Sequence, residues 1–344
     1  HPHNTYTKLT LLPELQWPKT GNRQYSPPIH KPKENKAEEP ISSTETRSMA
    51  NSRCAVVTGA NRGLGFAICR QLAASGVVVV LTARDENRGI QAVDDLKSNH
   101  GVSPDNIVYH QLDVTDSSSI ASLADFIKTQ FGKLDILVQI GDRVATYGDL
   151  LLFFFPPCRE KINWDEAIIN TYDSAVKGLK TNYYAAKEMT QTFLPLLQLS
   201  DSPRIVNITS STGSLQNVKN EWARGVLGDA EHLSEERVEQ VLNRFLKDFK
   251  DGLLDNKKHR WTAAYSPCYV LSKASLSAYT RIIAKRYPSF CVNCVCPGYV
   301  KTQGTFNLGN YTPEEAAGAA VRLALLPDGG PSGRYFSMME EASF

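Results

Sequence analysis

Arg53-Cys-Ala-Val-Val-Thr58-Gly59-Ala-Asn61-Arg62-Gly63-Leu64-Gly65 is the stretch that decides the fold. Residues 53–58 read as a short apolar strand, and a helical pattern follows over residues 66–75. Between them stands a glycine turn spaced G-x-x-x-G-x-G. Glycines let backbone turn tightly and approach a pyrophosphate, and the helix N-terminus that follows offers free N–H groups and a positive dipole end. Gly59, Asn61, Arg62, Gly63, Leu64 and Gly65 are therefore candidate contacts to a dinucleotide. Taken alone, such a turn is also a purely structural device.

A second apolar strand, 77–82, ends in Ala83-Arg84-Asp85. An enzyme for NAD is expected to carry an acidic side chain at this strand end, bonding the ribose 2′-hydroxyl. Here Arg84 and Arg62 offer guanidinium groups suited to a 2′-phosphate, so NADP(H) is the expected cofactor. Either arginine by itself is equally a solvated surface residue. Further strands read at 107–112, 134–139, 204–208 and 291–295, with helical patterns at 117–131 and 174–199. Asp113 and Val114, at the end of the third strand, fall where an adenine would lie. Strands alternating with helices predict an α/β fold: a single Rossmann-type, doubly wound parallel sheet flanked by helices. Ligands of such sheets bind at the carboxyl ends of the strands.

A second constellation is Tyr269-Val-Leu-Ser-Lys273. Residues four apart lie one turn from each other on one helix face, and Leu276, Ala278, Tyr279, Ile282 and Ile283 continue a helical pattern. A phenol with a pKa of about 10 is a poor acid at neutral pH. A fixed ammonium beside it favours the phenolate and makes it a usable proton donor and acceptor. Alone, such a pair is an ordinary feature of many helices.

Composition narrows the partners. Thirty-eight basic against 36 acidic residues give a net charge of +2, which suggests neither a nucleic-acid nor a membrane partner. No apolar run approaches the ~20 residues of a membrane span. Seven cysteines without framework spacing suit a reducing, cytoplasmic setting. Cys291-Val-Asn-Cys294-Val-Cys296 lacks a completing ligand set, so a strand is expected there and no metal. Residues 1–48, rich in Pro, Thr, Lys and Glu, read as a disordered N-terminal extension. Met49 reads as a natural start, with one NADP-binding catalytic domain over 49–344.

Taken together, these motifs resemble the short-chain dehydrogenase/reductase family. Thr58-Gly59-x-x-x-Gly63-x-Gly65 matches its cofactor turn and Tyr269-x-x-x-Lys273 its catalytic pair. Asn207-Ile-Thr-Ser210-Ser-Thr-Gly213 matches its serine strand end. Cys296-Pro297-Gly298-Tyr-Val300-Lys-Thr302 matches the loop that closes over the nicotinamide. Asn217-Val-Lys-Asn-Glu-Trp222 and Leu325-Leu-Pro-Asp-Gly-Gly-Pro-Ser-Gly333 resemble the family's plant branch of salutaridine reductase and neomenthol dehydrogenase-like enzymes. The resemblance implies Tyr269 as proton donor, with Lys273 lowering its pKa and holding the ribose. It implies Ser210 as a hydrogen-bond donor to the substrate carbonyl, and Asn182 as the residue that bends a helix and anchors a proton-relay water. It also implies Pro297, Gly298, Val300 and Thr302 as cofactor contacts. Ser210 in isolation reads as a capping hydroxyl, and Ser211 and Thr212 beside it leave the register open.

Ser210 and Tyr269 are far apart for this family, which places a long insertion at about 214–262. Within it, Val238, Val241, Leu242, Phe245, Leu246 and Phe249 mark an amphipathic helix N-capped by Ser234. It reads as a lid over an apolar substrate or a surface helix. In the resembling branch the insertion covers the face used for oligomerisation, so a monomer is expected. The family's Asn-Asn-Ala-Gly is replaced by Gln139-Ile140-Gly141-Asp142, unless Gly141 takes over by a one-residue shift. An apolar run, Leu150-Leu-Leu-Phe-Phe-Phe155, follows. The expected activity is NADPH-dependent, reversible reduction of a carbonyl on a hydrophobic small molecule, a terpenoid or alkaloid ketone. The alternatives are a cofactor-binding but catalytically impaired variant, and an enone C=C reductase.

Overall fold

Four consecutive buried residues form the first strand, β1 (Cys54–Val57), as expected of a strand covered on both faces. The computed structural model describes residues 52–141, 171–255, 259–261, 266–305 and 307–344. Seven more strands follow: β2 (Val78–Ala83), β3 (Ile107–Gln111), β4 (Ile136–Ile140), β5 (Arg204–Ile208), β6 (Cys291–Cys296), β7 (Tyr335–Ser337) and β8 (Glu340–Ala342). They lie in one sheet in the order β3-β2-β1-β4-β5-β6-β7-β8. All neighbours pair parallel except β7 and β8, which are antiparallel.

The described helices are α1 (Gly63–Ala74), α2 (Glu86–Asn99), α3 (Ser117–Phe131), α4 (Tyr172–Leu179) and α5 (Ala185–Leu197). They continue as α6 (Glu221–Gly228), α7 (Glu235–Lys250), α8 (Pro267–Arg286) and α9 (Pro313–Ala324). Strand alternation divides the core. Ala55, Val57, Val79, Leu81, Ile136 and Val138 face one layer, with Leu72 of α1, Leu96 of α2 and Ala320 of α9. Cys54, Val56, Val80 and Leu137 face the other, with Ile127 of α3, Phe193 of α5 and Ala278 of α8. Each fully buried Val, Leu or Ile contributes about 1.5–3 kcal/mol. The doubly wound expectation holds, and the strand order reverses beside β1, opening a crevice at the carboxyl ends of β1 and β4.

The elements differ from the sequence reading where side chains intervene. β4 begins at Ile136; Asp135 just before it turns its carboxylate inward to accept hydrogen bonds from Cys54 N (2.8 Å) and Ser200 Oγ (2.5 Å), while its backbone still bonds to Cys54 O (3.0 Å) and Arg204 N (2.8 Å). The expected 174–199 helix is two helices, α4 and α5, joined by a π turn over Lys180–Tyr184. The strands β7 and β8 are three residues each, too short to show alternation.

The insertion carries the expected amphipathic helix. The Ser234 hydroxyl caps α7 by accepting from Arg237 N (3.3 Å), and Val238, Val241, Leu242 and Phe245 are buried. α7 packs against α4, α6 and α8. Its first turn is pinned by Glu235, which pairs with Lys187 of α5 (2.9 Å) and Arg286 of α8 (2.7 Å). Its last turn is pinned by Asp248, 2% exposed, which accepts from His259 Nδ1 (2.6 Å), Trp261 Nε1 (2.8 Å) and Arg244 Nε (3.0 Å).

Burial pushes the Asp248 carboxyl up, but the hydrogen bonds from Trp261, His259 and Arg244 outweigh it and hold the group below its ordinary value. A depressed carboxyl stabilises the fold above the ordinary carboxylate range, and that stability is lost as pH falls through the depressed value. Asp248→Ala is expected to cost about 3 kcal/mol at neutral pH by urea unfolding. The gap to the parent should narrow in acid. An unchanged neutral midpoint contradicts this role.

Candidate active site

Two positive backbone angles shape the turn after β1: Gly59 at φ +60° and Gly63 at φ +57°. Both lie in the left-handed region that side chains disfavour. At Gly65 the limit is space, since a Cβ there would stand 2.7 Å from Ala60 Cα and from Gly59 O. Arg62 is the N-cap of α1 and makes no side-chain capping bond, so its side chain leaves the first N–H groups of the helix uncapped. Asn61 and Leu64 flank this opening, both half-buried.

The loop after β6 crosses the same turn. Pro297 and Gly298 lead out of the strand, Gly298 at φ +75°, and Val300 bridges to Tyr311. Thr302 Cγ2 lies 3.2 Å from where a Cβ on Gly63 would be, and Gln303 accepts a hydrogen bond from the Arg62 guanidinium. A cavity of about 430 Å³ opens beside the turn, lined by Asn61, Arg62, Arg88 and Gln303 among others. Arg88 escaped the sequence reading. It sits in the first turn of α2, where its N–H donates to the Asp85 cap (3.0 Å). The available signal was a basic residue three positions past a capping Asp, at the end of the strand already singled out. Arg84 is exposed and is not part of this lining, and its carbonyl accepts from Gln111 Nε2 (3.3 Å). Asp113 closes the end of β3 by accepting from Thr115 N (2.9 Å) and Oγ1 (2.8 Å). Val114 borders a small cavity together with Thr58 and Gly141.

These backbone features suit a dinucleotide. Open helix N–H groups and a turn without side chains accept a pyrophosphate, and two arginines beside it accept further phosphate charge.

The second constellation assembles at the carboxyl ends of β4 and β5. α8 is buried almost all round, from Val270 through Thr280. It carries Tyr269, half-buried, and Lys273, only 3% exposed. The Lys273 ammonium donates to Ile208 O at the end of β5 (3.0 Å) and lies 5.8 Å from the centre of the Tyr269 ring. Asn182 sits in the π turn, a feature frequent at functional sites. Its Nδ2 donates to Ser272 Oγ (3.1 Å), and Ser272 Oγ donates to Tyr269 O (2.9 Å). Ser210 caps the short turn Ser211–Gly213, its oxygen accepting from Thr212 N (3.2 Å) and Thr212 Oγ1 (2.9 Å). A hydroxyl has two acceptor sites and one donor, so with both acceptor sites engaged its O–H is directed elsewhere.

Gly141 follows β4 directly. A Cβ there would collide with Asn182 Oδ1 and stand 3.2 Å from Lys273 Nζ. Bare backbone therefore does meet the cluster, and it meets it at residue 141. Asp142 and the apolar run at 150–155 lie outside the described residues. Lys273, Asn182 and Gly141 come together with Ser272 and Tyr269 in one cluster. The glycine turn, Arg62 and Thr302 form another.

The short chain dehydrogenase family model matches residues 53–222. The chain is 53% identical to (+)-neomenthol dehydrogenase of Arabidopsis thaliana, over 293 residues covering 85% of this chain and 98% of that one. The chain belongs to the short-chain dehydrogenase/reductase family. It is thus an oxidoreductase of a family that works with a nicotinamide cofactor. The solved structure of salutaridine reductase from Papaver somniferum superposes with a TM-score of 0.74 at 48% identity, covering 83% of this chain and 99% of that one. Carbonyl reductase (NADPH) 1 of Bos taurus is 33% identical, covering 84% and 98% of the two chains. No described helix of this family member is long and apolar enough to cross a membrane.

Because a methyl group at 141 meets Asn182 and Lys273, Gly141→Ala is expected to lower kcat at least about tenfold in this oxidoreductase. Gly225→Ala, on α6 with nothing near the added carbon, should leave kcat unchanged. Equal rates in both variants contradict the close-approach role of Gly141.

Proposed function

We propose that this chain is an NADPH-dependent reductase of a carbonyl group on a hydrophobic small molecule, a terpenoid or alkaloid ketone, working reversibly as an alcohol dehydrogenase. One observation carries the reading: a buried lysine ammonium held by a strand-end carbonyl, one helical turn from a half-buried tyrosine. The dinucleotide, when bound, supplies the hydride. Tyr269 gives its phenolic proton to the carbonyl oxygen. The Lys273 ammonium favours the phenolate left behind, which lowers the cost of that transfer. Ser210, its acceptor sites taken by Thr212, donates its O–H to the same oxygen and stabilises the charge that builds there. Asn182 ties the π turn to α8 through Ser272 and keeps the phenol in place.

Arg62 and Arg88 are read as the 2′-phosphate clamp, and Arg84, exposed and outside that lining, is not counted in it. The α1 N-terminus with Gly59, Gly63 and Gly65 takes the pyrophosphate, Asp113 and Val114 flank the adenine, and the 297–302 loop covers the nicotinamide side. NADPH is supported by the cofactor in the bovine relative's name. A terpenoid or alkaloid ketone is supported by the names of the neomenthol and salutaridine enzymes. The position of Gly141 supports a working site over a catalytically impaired one. Tyr269 favours a carbonyl over a conjugated C=C bond, because protonating oxygen is what a phenol does there. The catalytic unit is read as 49–344 and as a monomer, since α7 covers α4 and α8 and buried Glu235 locks it to α5 and α8. Six described cysteines, all unpaired, suit a cytoplasmic setting.

NADPH consumption with a panel of cyclic ketones tests the reaction. Tyr269→Phe is expected to lower the rate at least ~10²-fold while NADPH still raises the melting temperature. A variant as active as its parent refutes the assignment. For the cofactor, Arg62→Glu combined with Arg88→Glu should raise KM for NADPH at least about tenfold and leave that for NADH little changed. Equal effects on both cofactors contradict the clamp.

A further inference from the structure

Gln139, in β4, is 3% exposed, and its hydrogen bonds fix which way its amide faces. Its Nε2 donates to Thr190 Oγ1 (2.9 Å) and to Asn207 Oδ1 (3.0 Å). The chain of donors is directed throughout: Thr190 Oγ1 donates to Ala186 O, Asn207 Nδ2 to Thr280 Oγ1, and Thr280 Oγ1 to Leu276 O, each at 2.9 Å. A flipped amide would aim an acceptor at the Asn207 acceptor, so Oε1 faces away from this network. No protein group donates to it.

Asn182 is in the same position. It is 1% exposed and its Nδ2 is committed to Ser272 Oγ, whose own proton goes to Tyr269 O. That leaves Oδ1 as the second buried oxygen without a protein donor. Both residues line one cavity, shared with Thr58, Val114, Gly141 and Leu276, with room of about 10 Å³. That space suits a single water molecule. An occupant of this space that serves both acceptors must have two hydrogens to give. Water meets this, and an anion or a substrate carbonyl does not.

We propose that Gln139 Oε1 and Asn182 Oδ1 share one buried water, and that Gln139 is thereby a positioning residue for Asn182 and the head of α8. The catalytic part of this proposal rests on the reductase reading above; the water site does not. The link runs from β4 through Gln139, the water, Asn182 and Ser272 to the backbone of Tyr269. Without the water contact, Asn182 Oδ1 has no reason to hold its place between Gly141 and Ser272, and the π turn that carries it loses its tie to the sheet. Gln139 stands where related enzymes are expected to carry asparagine, one methylene shorter.

A crystal structure of the full chain, at a resolution that shows ordered water, tests the site directly. One water within about 3.2 Å of both oxygens is expected. Absence of density there, or either oxygen bonded to a protein donor, overturns the proposal whether or not the protein reduces ketones. For the positioning role, Gln139→Met keeps length and removes the acceptor. It is expected to lower kcat about tenfold and to move the pH profile of kcat, with KM for NADPH and the NADPH-induced melting shift retained. An unaltered kcat and pH profile overturns that role. If Gln139→Met does not fold, the water in the parent crystal decides the site, and Asn182→Ser, which shortens the other acceptor, takes over the kinetic test with the same expected outcomes.

Discussion

A charged ammonium buried against a strand end is the constraint on which this structure turns. Removing a charge from water is costly unless hydrogen bonds replace the lost hydration. Lys273 meets that demand with the Ile208 carbonyl, at the last residue of β5. Space for the lysine comes from two residues without side chains. Gly141 leaves room for the ammonium, and a Cβ on Gly213 would stand 2.6 Å from Lys273 Cβ. The lysine, two glycines and a strand end therefore specify one another, and none can be exchanged alone.

α8 is the element that this constraint holds. Toward the end of β5 it turns two small buried hydroxyls, Ser277 and Thr280. Small hydroxyl side chains let the helix approach closely and still satisfy its neighbours. Asn207 reaches Thr280, and Thr209 reaches both Lys273 O (3.2 Å) and Ser277 Oγ (3.1 Å). On its outer side α7 packs down, fixed to Arg286 by Glu235, while Asp248 ties its other end to His259 and Trp261. The insertion thus braces the helix that presents the phenol, in addition to covering it.

The parts of this arrangement that were readable in the sequence are the local ones. A strand, a glycine turn and a helix announce themselves within thirteen residues, and Tyr269 and Lys273 are tied by helical spacing. The α7 stripe and its Ser234 cap are equally local. What escaped depends on residues brought together by the fold. Arg88 matters because Arg62 and Gln303 come to lie near it. The π turn is invisible in a pattern that reads as one helix from 174 to 199. Gln139 looked like a damaged motif, yet its amide joins β4, β5, α5 and α8. The inward carboxylate of Asp135 likewise depends on partners far along the chain, Cys54 N and Ser200.

The most direct test of this account is the crystal structure of the chain with NADPH and a cyclic ketone. It predicts the Tyr269 and Ser210 hydroxyl oxygens both within about 3.2 Å of the ketone oxygen, with the Lys273 ammonium still on Ile208 O and within reach of the nicotinamide ribose. A phenol turned away from the ketone, or an ammonium remote from the dinucleotide, would contradict it.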